Sequence, residues 1–479
     1  MRLLRVAVLA ALLSVLGTVV PAASAAGPAG TWGTGIMCVN MGTSQASITV
    51  KFYRADTGVL ELSYPDPTPI PAGASRGYFT PGGTPPGLPS PFIGSAVVES
   101  DQPLACNVNT QTTGVGTASD PIRVDTSKGV LAGAATLYAP QVMKTFGGNP
   151  GWNSYISVQN TSGATAAVTV TYKDRFGNDV PAAQESANIP ANTNHIFYQS
   201  DNANLPGNFL GSAKITSSAD LAGVVAMYNA ATSNVDSQFL TYNTVGTGAN
   251  KVLVPRIVRN YYGYNGGLTI QNVGGAPTSV DVTFSFAGNT YVYSNPSLAA
   301  GAAWALYAPN IPALLPVDSL AMSQRFGSAV VQAGAGGQIV AIVNEDNRVG
   351  PAAEQIGQGA TYNAMNDGTQ STTVSFAQIT KNAGGFYTGG FNVANTTATP
   401  GTCNISYSGA SAANETNVPL PANGSFKRFT PQVTGLPTTY NASVTVTCTV
   451  PVVGISNLAV NPGSGRLGDS FTQVAGTNQ

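Results

Sequence analysis

The sequence predicts an all-β protein, built as a tandem array of four β-sandwich repeats that follow a signal peptide. Three observations lead to this fold class. Apolar and polar residues alternate in many short runs, and 55 glycines and 32 prolines are spread between them. One pattern also recurs four times, starting at Trp32, Trp152, Tyr264 and Tyr387. Alternation is typical of strands with one buried face, and a period of this length fits one sandwich rather than a propeller blade.

The first element is an amino-terminal leader. Arg2 and Arg5 precede an apolar stretch, and the small residues Ala23, Ser24 and Ala25 follow it. This order is typical of a secretory signal peptide, and the stretch is short for a transmembrane helix, which is the rival interpretation. We therefore expect residues 1–25 to be removed. The mature protein is then expected to be secreted to the cell surface, with no transmembrane helix.

Each repeat contains a strand that reads aromatic, small, apolar, apolar and asparagine at every second position. A second alternating run ends in an aromatic residue, and a Gly-Ser-Ala segment leads into the last strands of the first three repeats. We predict about seven strands per repeat. The expected repeats span residues 26–126, 127–248, 249–370 and 371–479.

The asparagines that end the first of these strands are Asn40, Asn160, Asn272 and Asn395. Each falls on the buried face and is followed by turn residues. An asparagine at such a place can bond backbone groups that the strand ladder leaves open. We therefore expect a structural role in the turn at the strand end rather than a role in binding a ligand.

The four cysteines of an exported chain indicate disulfides. Cys38 and Cys106 take inward positions in the first repeat, and Cys403 and Cys448 take inward positions in the fourth. We predict the pairs Cys38–Cys106 and Cys403–Cys448, each crossing a sandwich interior and each stabilising the fold by about 4 kcal/mol. Zinc is the competing interpretation, but the chain has no Cys-x-x-Cys motif with a nearby histidine.

The first repeat differs from the others at its start. Repeats two to four open with an extra strand, around residues 137–142, 253–257 and 374–379, whereas the mature first repeat has none. An exposed sheet edge is a template for another strand. We hypothesise self-association, or binding of another surface protein, by strand addition at repeat 1. The alternative is a short, protected edge without a partner.

Charge and chemistry narrow the function classes. Only 9% of residues are charged, against roughly 25% in ordinary proteins, and 20 basic residues balance 21 acidic ones, which argues against nucleic-acid binding. The single histidine, His195, is expected to face solvent, and the sequence offers no paired acid or nucleophile for it. We predict no catalytic residue, cofactor or metal site, and therefore no enzyme. Trp304 lacks an aromatic counterpart in two repeats and is the possible carbohydrate contact, which makes a polysaccharide a possible partner.

The run Val158–Gly163, followed by Val168–Tyr172, resembles immunoglobulin-like repeats of secreted bacterial surface proteins, as do the segments Val254–Ile257 and Gly211–Ala213. Members of such families look like stalk, adhesion, sheath or surface-layer components. The resemblance implies immunoglobulin-like sandwiches and a non-enzymatic structural protein of an extracellular layer, sheath or filament. We picture an exported rod of four independent sandwiches. The alternative is a carbohydrate-binding, adhesin-like module array. A surface with few charges favours close packing against neighbours.

Overall fold

The computed structural model describes residues 4–8, 27–80, 83–114, 116–148, 151–229 and 236–479. The expected all-β fold is confirmed: the strands form antiparallel sheets that fall into four groups along the chain, named units 1 to 4. The predicted cleavage site at residues 23–25 lies outside the described residues.

The strands of each unit follow one another along the chain. Unit 1 contains β1 (Leu4–Val8), β2 (Trp32–Asn40), β3 (Ile48–Arg54), β4 (Leu60–Pro65), β5 (Ser75–Thr80), β6 (Gly94–Ser100), β7 (Leu104–Thr112) and β8 (Ile122–Lys128). Unit 2 contains β9 (Ala134–Lys144), β10 (Trp152–Asn160), β11 (Ala166–Asp174), β12 (Glu185–Ile189), β13 (Asn194–Tyr198), β14 (Phe209–Asn229) and β15 (Phe239–Asn243).

Units 3 and 4 continue the series. Unit 3 contains β16 (Lys251–Val258), β17 (Tyr264–Asn272), β18 (Thr278–Phe286), β19 (Asn289–Leu298), β20 (Ala303–Tyr307), β21 (Phe326–Ala333), β22 (Ile339–Asn347), β23 (Gln358–Asn363) and β24 (Met365–Asn366). Unit 4 contains β25 (Ser371–Lys381), β26 (Tyr387–Asn395), β27 (Gly401–Tyr407), β28 (Glu415–Leu420), β29 (Ser425–Phe429), β30 (Tyr440–Val460), β31 (Gly468–Asp469), β32 (Thr472–Ala475) and β33 (Thr477–Asn478). Short 3₁₀-helices lie at Pro181–Ala183, Ala308–Asn310, Pro312–Ser319, Met322–Gln324, Ala353–Gln355, Ser411–Ala413 and Thr430–Gln432.

Each unit is a sandwich with the same order of strands. In unit 1 one sheet runs β1-β6-β3-β4 and the other β8-β7-β2-β5, and unit 3 repeats this order as β16-β21-β18-β19 and β23-β22-β17-β20. In units 2 and 4 the sixth and seventh strands are one continuous strand, β14 or β30, whose two halves pair in different sheets. Eight principal strands per unit exceed the expected number of about seven.

Two strands of each unit have a defined position in this order and are named by it. The first is the opening strand: β1, β9, β16 or β25. The last is the closing strand: β8, β15, β23 or β32. The opening strand pairs with the sixth strand, and in units 3 and 4 the two-residue strands β24 and β33 pair with its other side. The closing strand pairs with the seventh.

The core of each sandwich follows from alternation along its strands. In β11, Val168, Val170 and Tyr172 are buried between the sheets while the intervening residues are partly or fully exposed. The second strand, β10, behaves differently, because Tyr155, Ser157 and Gln159 on its other face are also buried. Packing against neighbouring units buries that outer face.

The closing strands of the four units meet around one axis. Three consecutive residues of each strand line a common small cavity of about 20 Å³: 126–128, 241–243, 361–363 and 473–475. Side chains connect the strands there. Asn243 donates to the carbonyl oxygen of Lys128 and accepts from its backbone N–H, at 2.8 and 3.0 Å. Asn363 bonds the backbone of Asn243 in the same way, at 2.7 and 2.9 Å.

Hydrogen bonds between two of the recurring segments join successive units. Ser95 of unit 1 donates to the carbonyl oxygen of Asn192 in unit 2, at 2.6 Å. Ser212 of unit 2 donates to that of Gly301 in unit 3, at 2.7 Å. Unit 4 also contacts unit 1, since the backbone N–H of Ile122 donates to the carbonyl oxygen of Leu467 and the short strand β31 pairs with β8 in parallel. The four units therefore form a closed ring.

This arrangement corrects two expectations. The rod of four independent sandwiches is wrong, because units 1 and 4 are in contact and the outer faces of several strands are buried between units. The repeat limit placed after residue 126 falls inside β8, which continues to Lys128 because that strand is part of the axis. The limits after residues 248 and 370 fall between strands.

Candidate functional site

The edge of β6 is the first candidate site. Within the chain, β6 pairs with β3 on one side and with β1 on the other, in antiparallel register. The pairing places Val6 opposite Val98 and Val8 opposite Ala96. Since β1 lies inside the predicted signal peptide, the strand beside β6 is one that the mature chain is expected to lose.

β1 pairs with β6 in the same register in which each other opening strand pairs with the sixth strand of its unit. In unit 2 the counterparts of Val98 and Ala96 pair with Leu137 and Ala139 of β9. In units 3 and 4 the same places are taken by Val252 and Val254, and by Val374 and Phe376. All six of these side chains are buried in the cores of their units. The site beside β6 is therefore a slot for an extended segment with apolar residues at alternate positions.

The second candidate site surrounds Trp304, the predicted carbohydrate contact. Its partly exposed ring stacks on Tyr293, with centroids 5.6 Å apart and planes at 27°. It lies where two cavities between units 2 and 3 meet, of about 570 and 450 Å³, which share Leu210, Trp304 and Ala305. The two cavities form one groove, named the Trp304 groove. Trp152, the aromatic residue at which the recurring pattern of the second repeat starts, also lines it.

Polar groups stand along the wall of the Trp304 groove. The hydroxyl of Tyr307 lies 3.4 Å from a carboxylate oxygen of Asp346, and Arg348 donates to the other oxygen at 3.1 Å. Burial raises the pKa of Asp346, and Arg348 opposes this shift. Gln141 of unit 2 accepts hydrogen bonds from Thr269 and Asn344 of unit 3, at 2.7 and 2.9 Å.

The four strand-end asparagines make the same three kinds of hydrogen bond in every unit. The side-chain nitrogen of Asn160 donates to the carbonyl oxygens of Ala164 and Ile189, at 2.6 and 2.9 Å, and its oxygen accepts from the N–H of Ser162 at 2.9 Å. Asn40 and Asn272 make the same three bonds at the matching places in their units. Asn395 differs only in donating to the carbonyl oxygen of Pro421, one residue after the counterpart of Ile189. Each side chain closes a turn and has no atom left for a ligand.

Both disulfides form with the predicted pairing, Cys38–Cys106 and Cys403–Cys448. Their position corrects one expectation. Neither bond crosses from one sheet to the other, because each joins residues directly opposite on neighbouring strands of one sheet. The side chains face the core, but the bonds reinforce the β2–β7 and β27–β30 pairs rather than linking the two sheets.

His195 is exposed and packs edge-on against the ring of Phe197 at 4.6 Å. Among the described residues, no cluster of three or more histidine, cysteine or acidic side chains is suitable for a metal ion. Within the same residues, no helix has both the length and the apolar character needed to cross a membrane.

Two fully buried carboxylates near the axis were not singled out from the sequence. Asp469 of unit 4 accepts from the backbone N–H groups of Phe239 in unit 2 and Gly359 in unit 3, both at 2.8 Å. Asp125 of unit 1 accepts from Thr241 of unit 2. Burial raises the pKa of both groups. The only sequence feature that could have indicated them is the Asp-Ser pair that occurs both at Asp236 and at Asp469. That similarity gives no information about contacts between units.

Comparisons with known proteins give no family. No family model matches the chain, and no curated protein matches it. Among solved structures, a protein described as Thermotoga maritima 1070 is 16% identical, with a TM-score of 0.20, over 25% of this chain and 96% of its own. The Anabaena sensory rhodopsin transducer is 15% identical, with a TM-score of 0.16, over 19% of this chain and 92% of its own.

The pilus backbone protein of Streptococcus pneumoniae is 10% identical, with a TM-score of 0.13, over 78% of this chain and 86% of its own. Identities and TM-scores this low do not bear on function. What the fold and the two sites define is a class: an all-β, disulfide-bonded protein whose β-sandwich units close into a ring. In the part of the chain that the structure describes, its two candidate sites are the edge of β6 that pairs with β1 and the Trp304 groove between units 2 and 3.

Proposed function

We propose that this chain is a non-enzymatic, exported structural protein of an extracellular layer, sheath or filament, and that it assembles by accepting a strand beside β6. The observation that supports this function best is the β1–β6 pairing. The slot that β9, β16 and β25 fill in their own units is filled in unit 1 by residues of the predicted leader. Export would therefore create an unfilled slot in an otherwise closed ring.

The unfilled slot carries a free-energy cost that a partner strand removes. Without β1, the strand β6 pairs with β3 alone, and its outer N–H and C=O groups lose their partners. Unpaired strand edges promote pairing with another chain, and strand addition supplies main-chain hydrogen bonds together with side-chain pockets. The core residues Ala96 and Val98 would also lose cover from that side, so the donor segment needs apolar residues opposite them.

The donor in this proposal is a segment of a second protein. Every strand from β2 to β33 already pairs within the described part of the chain. A copy of this chain would therefore have to unfold one of its units to supply a strand. The low charge of the surface, with 9% charged residues, reduces the repulsion that keeps proteins apart. The two disulfides suit an oxidising, extracellular location.

A peptide with the sequence of β9 tests the slot directly. The mature chain, starting at residue 26, is expected to bind a labelled peptide of residues 134–144. It should not bind the same peptide with Leu137→Asp and Ala139→Asp, because these side chains face the core in the shared register. The matched control is a mature chain that carries the β9 sequence at its own amino terminus through a flexible linker, which fills the slot and should abolish peptide binding. Equal binding of both peptides, or of neither, would contradict the slot.

The structural role is tested with the same control chain in the producing cell. Cells that secrete the linker-filled chain at normal level are expected to lose ordered surface material in electron micrographs. Unchanged surface material would contradict assembly through β6. The second candidate function, carbohydrate binding, is favoured by the Trp304 groove and does not depend on the strand slot.

A further inference from the structure

The interface between units 3 and 4 shows how this ring normally fills the space between neighbouring sandwiches. Arg256 of unit 3 and Lys427 of unit 4 lie over the rings of Tyr261 and Phe326, with charge-to-centroid distances of 5.0 to 5.6 Å. The ammonium of Lys427 also donates to the hydroxyl of Tyr261 at 3.0 Å. Two long cationic side chains and two aromatic rings thus occupy this interface.

The same positions between units 2 and 3 hold smaller side chains. By strand register, Gln141 takes the place of Arg256, and Ala305 takes the place of Lys427. Leu210 stands where unit 3 has Phe326. The loss of side-chain volume at these positions leaves the Trp304 groove open, with Ala305 and Leu210 at the point where its two cavities join. The Trp304 groove therefore exists because Gln141, Ala305 and Leu210 are smaller than the side chains at the matching positions between units 3 and 4.

We infer that the Trp304 groove is a binding site for an extended oligosaccharide. The stacked rings of Trp304 and Tyr293 provide an aromatic platform at the centre of the groove. Aromatic faces pack well on the C–H faces of sugar rings, since a ring with a polar edge offers both apolar contact and hydrogen bonding. Each cavity alone has the volume of a small-molecule site, roughly 300–1,000 Å³, so two joined cavities suit a chain of several sugar rings.

The polar wall supplies the hydrogen bonds that hydroxyl groups need. Asp346 offers carboxylate oxygens, Tyr307 is 38% exposed, and the Arg348 side chain is 46% exposed. Arg348 also reaches Asp236 of unit 2 at 3.3 Å, so both units hold it in place. Charged partners strengthen hydrogen bonds to neutral hydroxyls. A purely apolar ligand would make no hydrogen bond with these exposed polar groups, whereas the hydroxyl groups of a saccharide can, which favours a saccharide.

The Trp304 groove is formed by residues of two units and is therefore absent from a single sandwich. Unit 2 contributes Trp152 and Gln141, and unit 3 contributes Trp304, Tyr307 and Asp346. Of the residues that line the two cavities, Asp346 is the one carboxylate. A pair of carboxylates is the usual requirement for hydrolysis of a glycosidic bond. We therefore assign binding, not cleavage, to this groove.

The test is titration calorimetry of the mature chain with soluble hexasaccharides of glucose, N-acetylglucosamine, mannose and xylose. At least one is expected to bind. Trp304→Ala should weaken that binding by about tenfold or more, through loss of the stacking face. Ala305→Lys should abolish it by filling the groove as Lys427 fills the interface between units 3 and 4. His195→Ala, at the counterpart of Trp304 in unit 2, is the matched control and should leave affinity unchanged.

Each outcome decides the inference. Failure of the whole panel to bind, or binding that both groove variants leave intact, overturns it. An apolar dye that binds while every saccharide fails would assign the groove to another ligand class and would also overturn it. Far-ultraviolet circular dichroism and thermal unfolding of each variant separate loss of the site from loss of the fold. The chain with a linker-filled slot at β6 should bind the saccharide normally, so failure here is distinct from failure of the proposed assembly.

Discussion

The hydroxyl of Ser443 in unit 4 donates a 2.7 Å hydrogen bond to the carbonyl oxygen of Gly73 in unit 1. It is the counterpart of the bonds from Ser95 to unit 2 and from Ser212 to unit 3, so one contact is used at three of the four interfaces. In sequence the two residues are 370 positions apart. This contact joins the last unit of the chain to the first.

Removal of the Ser443 hydroxyl should weaken the closure of the ring. Ser443→Ala removes this part-buried hydrogen bond to the carbonyl oxygen of Gly73, which is expected to cost about 0.5–1.5 kcal/mol. Ser328→Ala is the matched control, because Ser328, the counterpart in unit 3, makes no such bond within the described part of the chain. Hydrogen exchange should show faster opening of β5 and β30 in the first variant only. Equal exchange in the two variants would show that this bond does not hold the ring closed.

The strand-end asparagines should be among the most sensitive positions in each unit. Asn160→Ala removes three hydrogen bonds from a fully buried site, and we expect a loss of about 2–4 kcal/mol. Asn160→Asp should cost more at neutral pH, because a carboxylate oxygen would then face two carbonyl oxygens. Urea unfolding at neutral and acid pH measures both variants. A smaller loss for aspartate than for alanine at neutral pH would contradict this account.

Much of each unit could be predicted from the sequence, because its signals are local. Alternation in β11, the asparagine at position 160 and the inward positions of the cysteines all depend on period-two geometry. The ring could not be predicted in this way. Ser157 and Gln159 would be expected to face solvent, yet both are fully buried in the ring. The Trp304 groove could not be predicted from a sequence pattern either, because it forms where short side chains of two different units meet.

The asparagines at the axis predict a stabilising substitution. Asn243 and Asn363 each bond the backbone of the preceding closing strand, but Ala475 occupies the matching place in unit 4 and cannot bond Asn363. Ala475→Asn should add the missing pair of bonds and raise the free energy of unfolding by about 1 kcal/mol. The reverse change, Asn363→Ala, should lower it by more, because it leaves buried backbone groups unpaired. A loss of stability for Ala475→Asn would mean that this position in unit 4 differs from those of Asn243 and Asn363.

Lys128, which also lies at the axis, should make the free energy of unfolding depend on pH. Burial lowers its pKa from 10.5 to about 8, and its ammonium donates to the carbonyl oxygen of Gly476 at 3.1 Å. Between these two pH values the unfolded chain binds a proton that the folded chain does not, so stability should rise with pH there. Lys128→Met removes this contribution. The difference in unfolding free energy between the two proteins should change from about pH 8 upwards and stay constant below it. A constant difference across this range would contradict a lowered pKa.

The disulfides should stabilise units 1 and 4 without being needed for their fold. Units 2 and 3 use the same strands without a disulfide, with Val158 and Gly223 of unit 2 at the places of Cys38 and Cys106. The double variant Cys38→Val and Cys106→Gly should therefore fold and bind the β9 peptide, with a stability lower by about 4 kcal/mol. A reducing agent should lower the unfolding temperature of unit 1 in the wild type and leave that unit unchanged in the variant. A variant that fails to fold would show that unit 1, unlike units 2 and 3, needs the disulfide between β2 and β7 to form at all.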